Sequence, residues 1–183
     1  MKYLYVLMGL AILLSIISVE AGSFSPVMTE STYVDAAQAN ESFGGTNTLW
    51  VSSIDGKPIN ETYLSYAFNG PAITPDQIQS ATLKIYADKV EKPGKVTAYF
   101  VDGPTFETAT WSDKPEYDSN ISAGLAIDKS GEYSVDVTPL IKMAAKTCLE
   151  CGFSIALVAD DSASIEFSKT ASEKALLFYN TAD

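Results

Sequence analysis

Alternation of apolar and polar side chains is the dominant pattern along most of the chain. It is clearest from Ala81 to Asp88, where the odd-numbered residues are apolar and the even-numbered ones are polar or amphipathic. Such alternation is typical of a strand with one buried face. The turn signal Lys92-Pro93-Gly94 follows, and then a second apolar run from Lys95 to Val101. The two runs are therefore predicted to form a hairpin.

The rest of the chain repeats this pattern, with one exception. Later strands are predicted at Glu132–Val137, Phe153–Ala159, Ser164–Phe167 and Ala175–Tyr179. One short helix is predicted at about 138–148, because Thr138 is a good N-cap and Pro139 suits the first helical position. The stretch from Gly103 to Lys129 is rich in turn residues and is interpreted as a long excursion. These elements predict an all-β fold, a jelly-roll-like antiparallel β-sandwich.

The first residues differ from the rest, because a lysine is followed by an unbroken apolar run from Tyr3 to Val19. Val19 and Ala21 stand where a signal peptidase requires small residues, so residues 1–21 are predicted to be a signal peptide. The alternative is a retained membrane anchor, for which this run is just long enough. Residues 22–183 are predicted to form a single β-sandwich domain outside the cell, either secreted or at the cell surface.

The amino-acid composition excludes several classes of function. Hydrophobic residues make up 46% of the chain and there are 10 Tyr, which indicates a folded globule rather than disorder. With 23 acidic against 12 basic residues the net charge is −11, which argues against nucleic acid as a partner. The chain has no His, which excludes Ser-His and Cys-His nucleophile pairs and His-ligated zinc. A non-catalytic protein without a cofactor is therefore predicted.

Two cysteines and three sequons fit an exported protein. Cys148 and Cys151 are spaced C-x-x-C and follow the predicted helix, whereas a redox-active pair opens one. They are predicted to form a disulfide, either within the chain or between chains. Asn40, Asn60 and Asn120 each begin an N-x-[ST] sequon and are candidates for N-glycosylation.

The outward face of the predicted hairpin supplies the candidate binding site. On the alternation, Tyr86 and Tyr99 point outward on one exposed face, with Lys84 nearby and Trp50 beside them. Aromatic rings offer apolar faces to sugar C–H groups, and flanking polar groups fix orientation. The alternatives are cross-strand pairing of exposed tyrosines and coverage of the face by another subunit.

A metal site is the other candidate that the sequence raises. Asp160 and Asp161 lie in an acidic turn whose hard oxygen atoms are of the type that holds calcium. No EF-hand spacing accompanies them, so a solvated turn is the alternative.

An ordered series of segments resembles a known family. Residues 81–86 (ATLKIY), 105–115 (TFETATWSDKP) and 133–138 (YSVDVT) are similar to segments of the DNRLRE, or disaggregatase-related, domain. The resemblance covers nearly all of the predicted mature chain. It implies an extracellular jelly-roll-like sandwich, some of whose members are carbohydrate-binding modules for acidic polysaccharides such as alginate. This chain departs from the family in having no Arg and few basic residues to meet an acidic sugar.

Three functions stay open on the sequence. The first is an extracellular structural or matrix protein that self-associates or contacts other surface proteins. The second is a secreted carbohydrate-binding module that recognises a surface or matrix polysaccharide. The third is a polysaccharide-active enzyme, for which the carboxylates of Glu107, Asp113 and Glu116 are the candidates.

Overall fold

The computed structural model describes residues 21–69, 72–147, 152–169 and 175–182. Within these ranges the chain forms eleven strands and one α-helix. The strands are β1 (Ser23–Phe24), β2 (Val27–Asp35), β3 (Thr48–Ile54), β4 (Lys57–Ala67), β5 (Ile78–Lys92), β6 (Gly94–Val101), β7 (Asp118–Ile127), β8 (Gly131–Asp136), β9 (Phe153–Ala159), β10 (Ser164–Ser168) and β11 (Leu176–Thr181), and the helix α1 is Thr138–Thr147. The pairings are antiparallel, and the predicted all-β class with one short helix is confirmed.

The strands form two layers, here named the front sheet and the back sheet. In the front sheet β8 pairs with one edge of β5, while β10 and β11 lie end to end along the other edge. β3 continues the front sheet beyond β10, and β1 continues it beyond β11. The back sheet has the order β2-β4-β9-β6-β7. A two-residue turn at Asp55 and Gly56, both with positive φ, joins β3 to β4 and connects the layers.

The core lies between the two sheets and is built from the inward half of each alternating pattern. Leu83 and Ile85 of the front sheet and Phe100 and Leu157 of the back sheet are each at most 3% exposed and belong to one cluster. The helix α1 contributes its buried side to the same cluster. Burial of each side chain of this size stabilises the fold by about 1.5–3 kcal/mol. The apolar half of each strand is therefore held in the core, and only the outward half is available to bind a ligand.

The predicted hairpin between β5 and β6 is wrong. Pro93 alone connects the two strands, yet β5 lies in the front sheet and β6 pairs with β7 and β9 in the back sheet. β10 and β11 occupy one edge of β5 and β8 occupies residues 82–87 of the other, while a single connecting residue is shorter than the two-residue loop of the commonest tight hairpins. A Cβ atom on Gly94 would lie 2.6 Å from the Cβ of Ala163, and only glycine permits this close crossing between layers.

The stretch from Gly103 to Lys129 is only partly the predicted excursion, because it contains β7, an edge strand of the back sheet. The inward side chains of β7 include Ile121 and Leu125, but its outward ones are small, which hides the strand pattern in the sequence. Residues 102–117 remain as a long loop, here named the covering loop. It lies over the outer face of the back sheet, where Trp111 and Tyr117 pack against Tyr63.

Several predictions fall outside the described residues. The predicted signal peptide, residues 1–21, has only its last residue within them, and Cys148 and Cys151 lie beyond them altogether. None of the described helices is long and apolar enough to cross a membrane. The signal peptide, the domain limits and the disulfide stay predictions.

Candidate functional site

The outer face of the front sheet carries an open row of three side chains. Trp50 on β3 is the direct cross-strand partner of Glu166 on β10, which is in turn the partner of Lys89 on β5. The Nζ atom of Lys89 lies 5.9 Å from the centroid of the Trp50 ring. Trp50 and Glu166 are half-buried and Lys89 is exposed. The row therefore presents one aromatic ring with a cation and an anion beside it.

Tyr86 and Lys84 extend this surface along β5. They point outward, because the residues next to them on β5 belong to the core. Strand β10 pairs with Ala87 and then with Lys89, so the register shifts by one residue between these two positions. Because of this shift, Lys89 points outward on the same side of the sheet as Tyr86. Strands are spaced about 4.8 Å apart, so Trp50 lies roughly 10 Å across the sheet from β5. Three of the four predicted glycan-binding residues, Trp50, Lys84 and Tyr86, thus share one surface, here named the front face.

The charges of the front face are paired. The Nζ of Lys84 lies 3.3 Å from Oε1 of Glu132, the cross-strand partner of Tyr86. Lys89 donates a hydrogen bond of 2.6 Å to Glu91. This bond raises the pKa of Lys89 and, together with a bond from Ser164, lowers the pKa of Glu91. The front face thus combines aromatic rings with nearly balanced charge.

Tyr99 does not join the front face, and the predicted cluster of Tyr86 with Tyr99 is wrong. Because β6 belongs to the back sheet, the outward direction of Tyr99 leads to the opposite side of the molecule. There its ring stacks on Tyr117, with centroids 4.6 Å apart and planes 21° apart. The outer surface of the back sheet, together with the covering loop that lies on it, is here named the back face.

A buried ion pair fastens the covering loop to the back face. Glu61 on β4 is 1% exposed, and its Oε2 lies 2.6 Å from the Nζ of Lys114. The same Oε2 accepts a hydrogen bond of 2.9 Å from the hydroxyl of Tyr63. Burial, reinforced by this neighbouring carboxylate, raises the pKa of Tyr63. The Nζ of Lys114 also lies 3.7 Å from the ring centroid of Trp111.

Sequence reasoning missed both partners of this ion pair. Glu61 stands at an outward position of β4, at the start of the run Glu61–Tyr66 in which every residue is buried. A carboxylate on a strand whose neighbouring side chains are largely apolar or aromatic is a weak signal of a buried charge, because such charges need a partner. Nothing in the local sequence identifies Lys114 as that partner.

Asp160 joins the back face beside Tyr99. Its Oδ2 accepts a hydrogen bond of 3.0 Å from the hydroxyl of Thr97 and lies 3.3 Å from the Nζ of Lys95. Burial, followed by the charge of Glu61, the neighbouring Tyr99 and the charge of Asp160, raises the pKa of Tyr117 to about 12. The shift in the pKa of Tyr117 thus comes first from its burial and second from the anionic groups near it.

The predicted calcium ligands Asp160 and Asp161 have other contacts in the fold. Asp161 lies in a turn with φ of 54°, and its backbone oxygen accepts bonds from Ser53 and Gly56. Within the described part of the chain, no group of three or more His, Cys, Asp or Glu side chains could hold a metal. Calcium at Asp160 and Asp161 stays a prediction.

The carboxylates proposed for catalysis serve local structure in two of three cases. Glu107 lies 3.5 Å from the Nζ of Lys169. Asp113 accepts hydrogen bonds from the hydroxyl and the backbone N–H of Thr110, which lower the pKa of Asp113. Glu116 lies elsewhere, in a cleft beside Tyr117.

The three sequons differ in accessibility. Asn40 and Asn120 are exposed. Asn60 lies within β4, and Thr62, the hydroxyl residue of its sequon, is fully buried and donates to the backbone oxygen of Trp50. N-glycosylation stays a prediction, and the fold favours Asn40 and Asn120 over Asn60 as acceptors.

Comparisons with known proteins place the domain in a family. No curated protein sequence matches the chain. The model of carbohydrate-binding module family 96 matches residues 24–180, which include both faces. Carbohydrate-binding modules are non-catalytic, in agreement with the prediction of a domain without a catalytic site, whereas the DNRLRE name is not part of this match. The chain belongs to carbohydrate-binding module family 96.

Proposed function

We propose that this chain is a non-catalytic, extracellular module that binds polysaccharide through the front face. The observation that carries the proposal is the open row of Trp50, Glu166 and Lys89, with Tyr86 on the same surface. The family match supports sugar as the class of ligand. Of the functions predicted from the sequence, the carbohydrate-binding module is thus preferred over a purely structural protein.

The chemistry of the front face suits a sugar ring. The apolar faces of Trp50 and Tyr86 can cover sugar C–H groups, while charged groups at their edges exchange hydrogen bonds with hydroxyls. Lys89 supplies donors, and Glu132 and Glu166 supply acceptors. These side chains stand on strands rather than loops, so little backbone conformational entropy is lost when a sugar binds.

The charge of the front face favours a neutral polysaccharide over a polyuronate. Lys84 and Lys89 are each already paired with a glutamate. A polyanion gains affinity by pairing with free cations, and the net charge of −11 opposes its approach. The proposed ligand therefore differs from the acidic polysaccharides that the family resemblance implies.

Affinity electrophoresis tests the proposal. The chain is run through gels that contain β-1,4-glucan, β-1,3-glucan, soluble chitin or alginate. We expect retardation by at least one neutral polysaccharide, and Trp50→Ala is expected to weaken its binding about tenfold, or about 1.4 kcal/mol. Tyr86→Ala is expected to act in the same direction.

Phe106→Ala is the matched control, because Phe106 is 59% exposed and lies on the covering loop, away from the front face. This control is expected to bind like the wild type. Equal retardation of the wild type and the Trp50→Ala, Tyr86→Ala double variant contradicts binding at the front face. Retardation by alginate alone contradicts the preference for a neutral ligand.

A further inference from the structure

The back face holds a second aromatic surface that the proposed function does not use. Tyr117 stacks on Tyr99, so one side of its ring is supported by the sheet. The neighbouring strand β7 presents only small outward residues there, since Ser122 is the cross-strand partner of Tyr99 and Gly124 is the partner of Thr97. No bulky side chain of β7 therefore shields this surface at its edge.

Polar groups of both signs border the supported ring. Asp160 holds its carboxylate between the hydroxyl of Thr97 and the ammonium group of Lys95. The side chain of Lys95 lies across β7, because a Cβ on Gly124 would come within 2.6 Å of its Cε. Asp160 is 31% and Lys95 is 58% exposed in their side chains, so both can reach a ligand. A ring flanked by an acceptor and a donor has the composition of a sugar subsite.

Tyr117 also lines a cleft of about 360 Å³. Its described lining consists of Phe100, Asp102, Glu116, Tyr117, Asp118, Met143 and Thr147. The carboxylates of Asp102 and Glu116 form no ion pair with described residues and can accept hydrogen bonds from hydroxyls. A sugar chain on Tyr117 can thus continue into a groove with apolar and acceptor groups.

We infer that Tyr117, Tyr99, Asp160 and Lys95 form a second glycan-binding site, in which the buried hydroxyl of Thr97 holds the Asp160 carboxylate in place. This second site makes the module divalent. The ligand class is a polysaccharide of neutral or amino sugars, because the described lining of the cleft has three carboxylates and no lysine, and these carboxylates repel uronic acids. This inference rests on the proposed function, since it assigns a second site for the same class of ligand.

Divalency has a geometric consequence. The two sites lie on opposite outer faces of a two-layer sandwich, so one short sugar chain cannot occupy both. Each molecule instead binds two separate strands and holds them on either side of itself. Bridging of this kind gives the predicted matrix role without self-association of the protein, and it raises avidity on surfaces that display many strands.

Isothermal titration of the whole protein with hexasaccharides of glucose and of N-acetylglucosamine measures the number of sites, with a guluronate hexasaccharide as the charged comparator. We expect two neutral hexasaccharides per wild-type chain and one for each of Trp50→Ala, Tyr117→Ala and Asp160→Asn. Asp160→Asn keeps the shape of the side chain, so it remains informative if Tyr117→Ala does not fold. Beads coated with the matching polysaccharide are expected to aggregate with the wild type and with none of these variants.

The outcomes separate the two proposals. One hexasaccharide per chain, lost in Trp50→Ala and retained in Asp160→Asn, overturns the second site and leaves the front face in place. One hexasaccharide that is lost in Asp160→Asn and retained in Trp50→Ala overturns the front face and divalency together. No binding of any neutral hexasaccharide by the folded wild type refutes the proposed function and the second site with it.

Discussion

The two outer faces carry the same three residue types in different settings. The front face has Trp50, Lys89 and Glu166 in one cross-strand row, with 5.9 Å between the lysine Nζ and the ring centroid. The back face has a Trp111, Lys114 and Glu61 group, in which the corresponding distance is 3.7 Å and the carboxylate is buried. The buried group therefore holds the covering loop against the back sheet, whereas the exposed row is available to bind a ligand.

The two groups differ in their exposure to solvent, which determines how strongly their charges interact. In the front face, solvent screens the charges, and the ion pairs Lys84–Glu132 and Lys89–Glu91 are both exposed. In the back face, Glu61 depends on Lys114 and on the hydroxyl of Tyr63, because a buried charge without partners is costly. We therefore expect mutations in the front face to change binding and those in the buried group to change stability.

The largest expected effect is the loss of the buried ion pair. Lys114→Met leaves Glu61 buried without its cation and is expected to lower the free energy of unfolding by about 3 kcal/mol. This value is at the lower end for such pairs because the Lys114 side chain is 23% exposed. Urea unfolding monitored by circular dichroism measures the change. Lys89→Met is the matched control and is expected to leave the unfolding midpoint unchanged, and equal midpoints for the two variants would contradict the comparison.

Alkaline pH is expected to weaken the back face through Tyr117. In the unfolded chain the tyrosine pKa is 10.0, and in the folded protein the pKa of Tyr117 is about 12. Between these values the unfolded state has lost a proton that the folded state retains, so stability falls as pH rises. The slope contributed by Tyr117 is at most about 1.4 kcal/mol per pH unit.

Unfolding midpoints of the wild type and of Tyr117→Phe, measured from pH 8 to pH 11.5, test this dependence. The two proteins are expected to behave alike below pH 9, because the Tyr117 hydroxyl is then neutral in both the folded and unfolded states. Above pH 10 the variant is expected to lose stability less steeply. Parallel curves over the whole range would show that Tyr117 does not titrate differently in the folded state.

The smallest expected effect is the response of the two kinds of ion pair to salt. A double-mutant cycle on Lys84 and Glu132 is expected to give a coupling below about 1 kcal/mol, which 1 M NaCl abolishes. The same cycle on Lys114 and Glu61 is expected to keep most of its coupling, because salt screens a largely buried pair much less than an exposed one. Equal loss of coupling in both cycles would mean that the back-face pair is solvated.

Most of the fold could be predicted from alternation alone. β9 was predicted with its exact bounds, and β8, β10, β11 and α1 within a few residues, because a half-buried strand and an amphipathic helix leave a local pattern. The partners of each strand could not be predicted in this way. Lys92-Pro93-Gly94 is a signal both for a hairpin and for a crossing between layers, and the strand pairings that distinguish the two are not local in the sequence.

Because strand partners could not be predicted, the candidate binding site was predicted only in part. Alternation gave the correct outward direction for Trp50, Lys84, Tyr86 and Tyr99, but it could not tell to which sheet each strand belongs. Trp50, Lys84 and Tyr86 therefore lie together on the front face, whereas Tyr99 lies on the back face. Glu61 and Lys114 could not be paired from the sequence, because their contact depends on how the covering loop returns over the back sheet.

The pairing of β1 with β11 sets the order in which the molecule can be completed. Ser23 and Phe24 lie against Asn180 and Tyr179, and Gly22 donates to Thr181, 159 residues away along the chain. Contacts so distant in sequence require a large loop to close, and proteins rich in them fold on the order of milliseconds to seconds. A ribosome releases residue 181 long after residue 22, so β1 completes its pairing in the front sheet only once β11 has been synthesised.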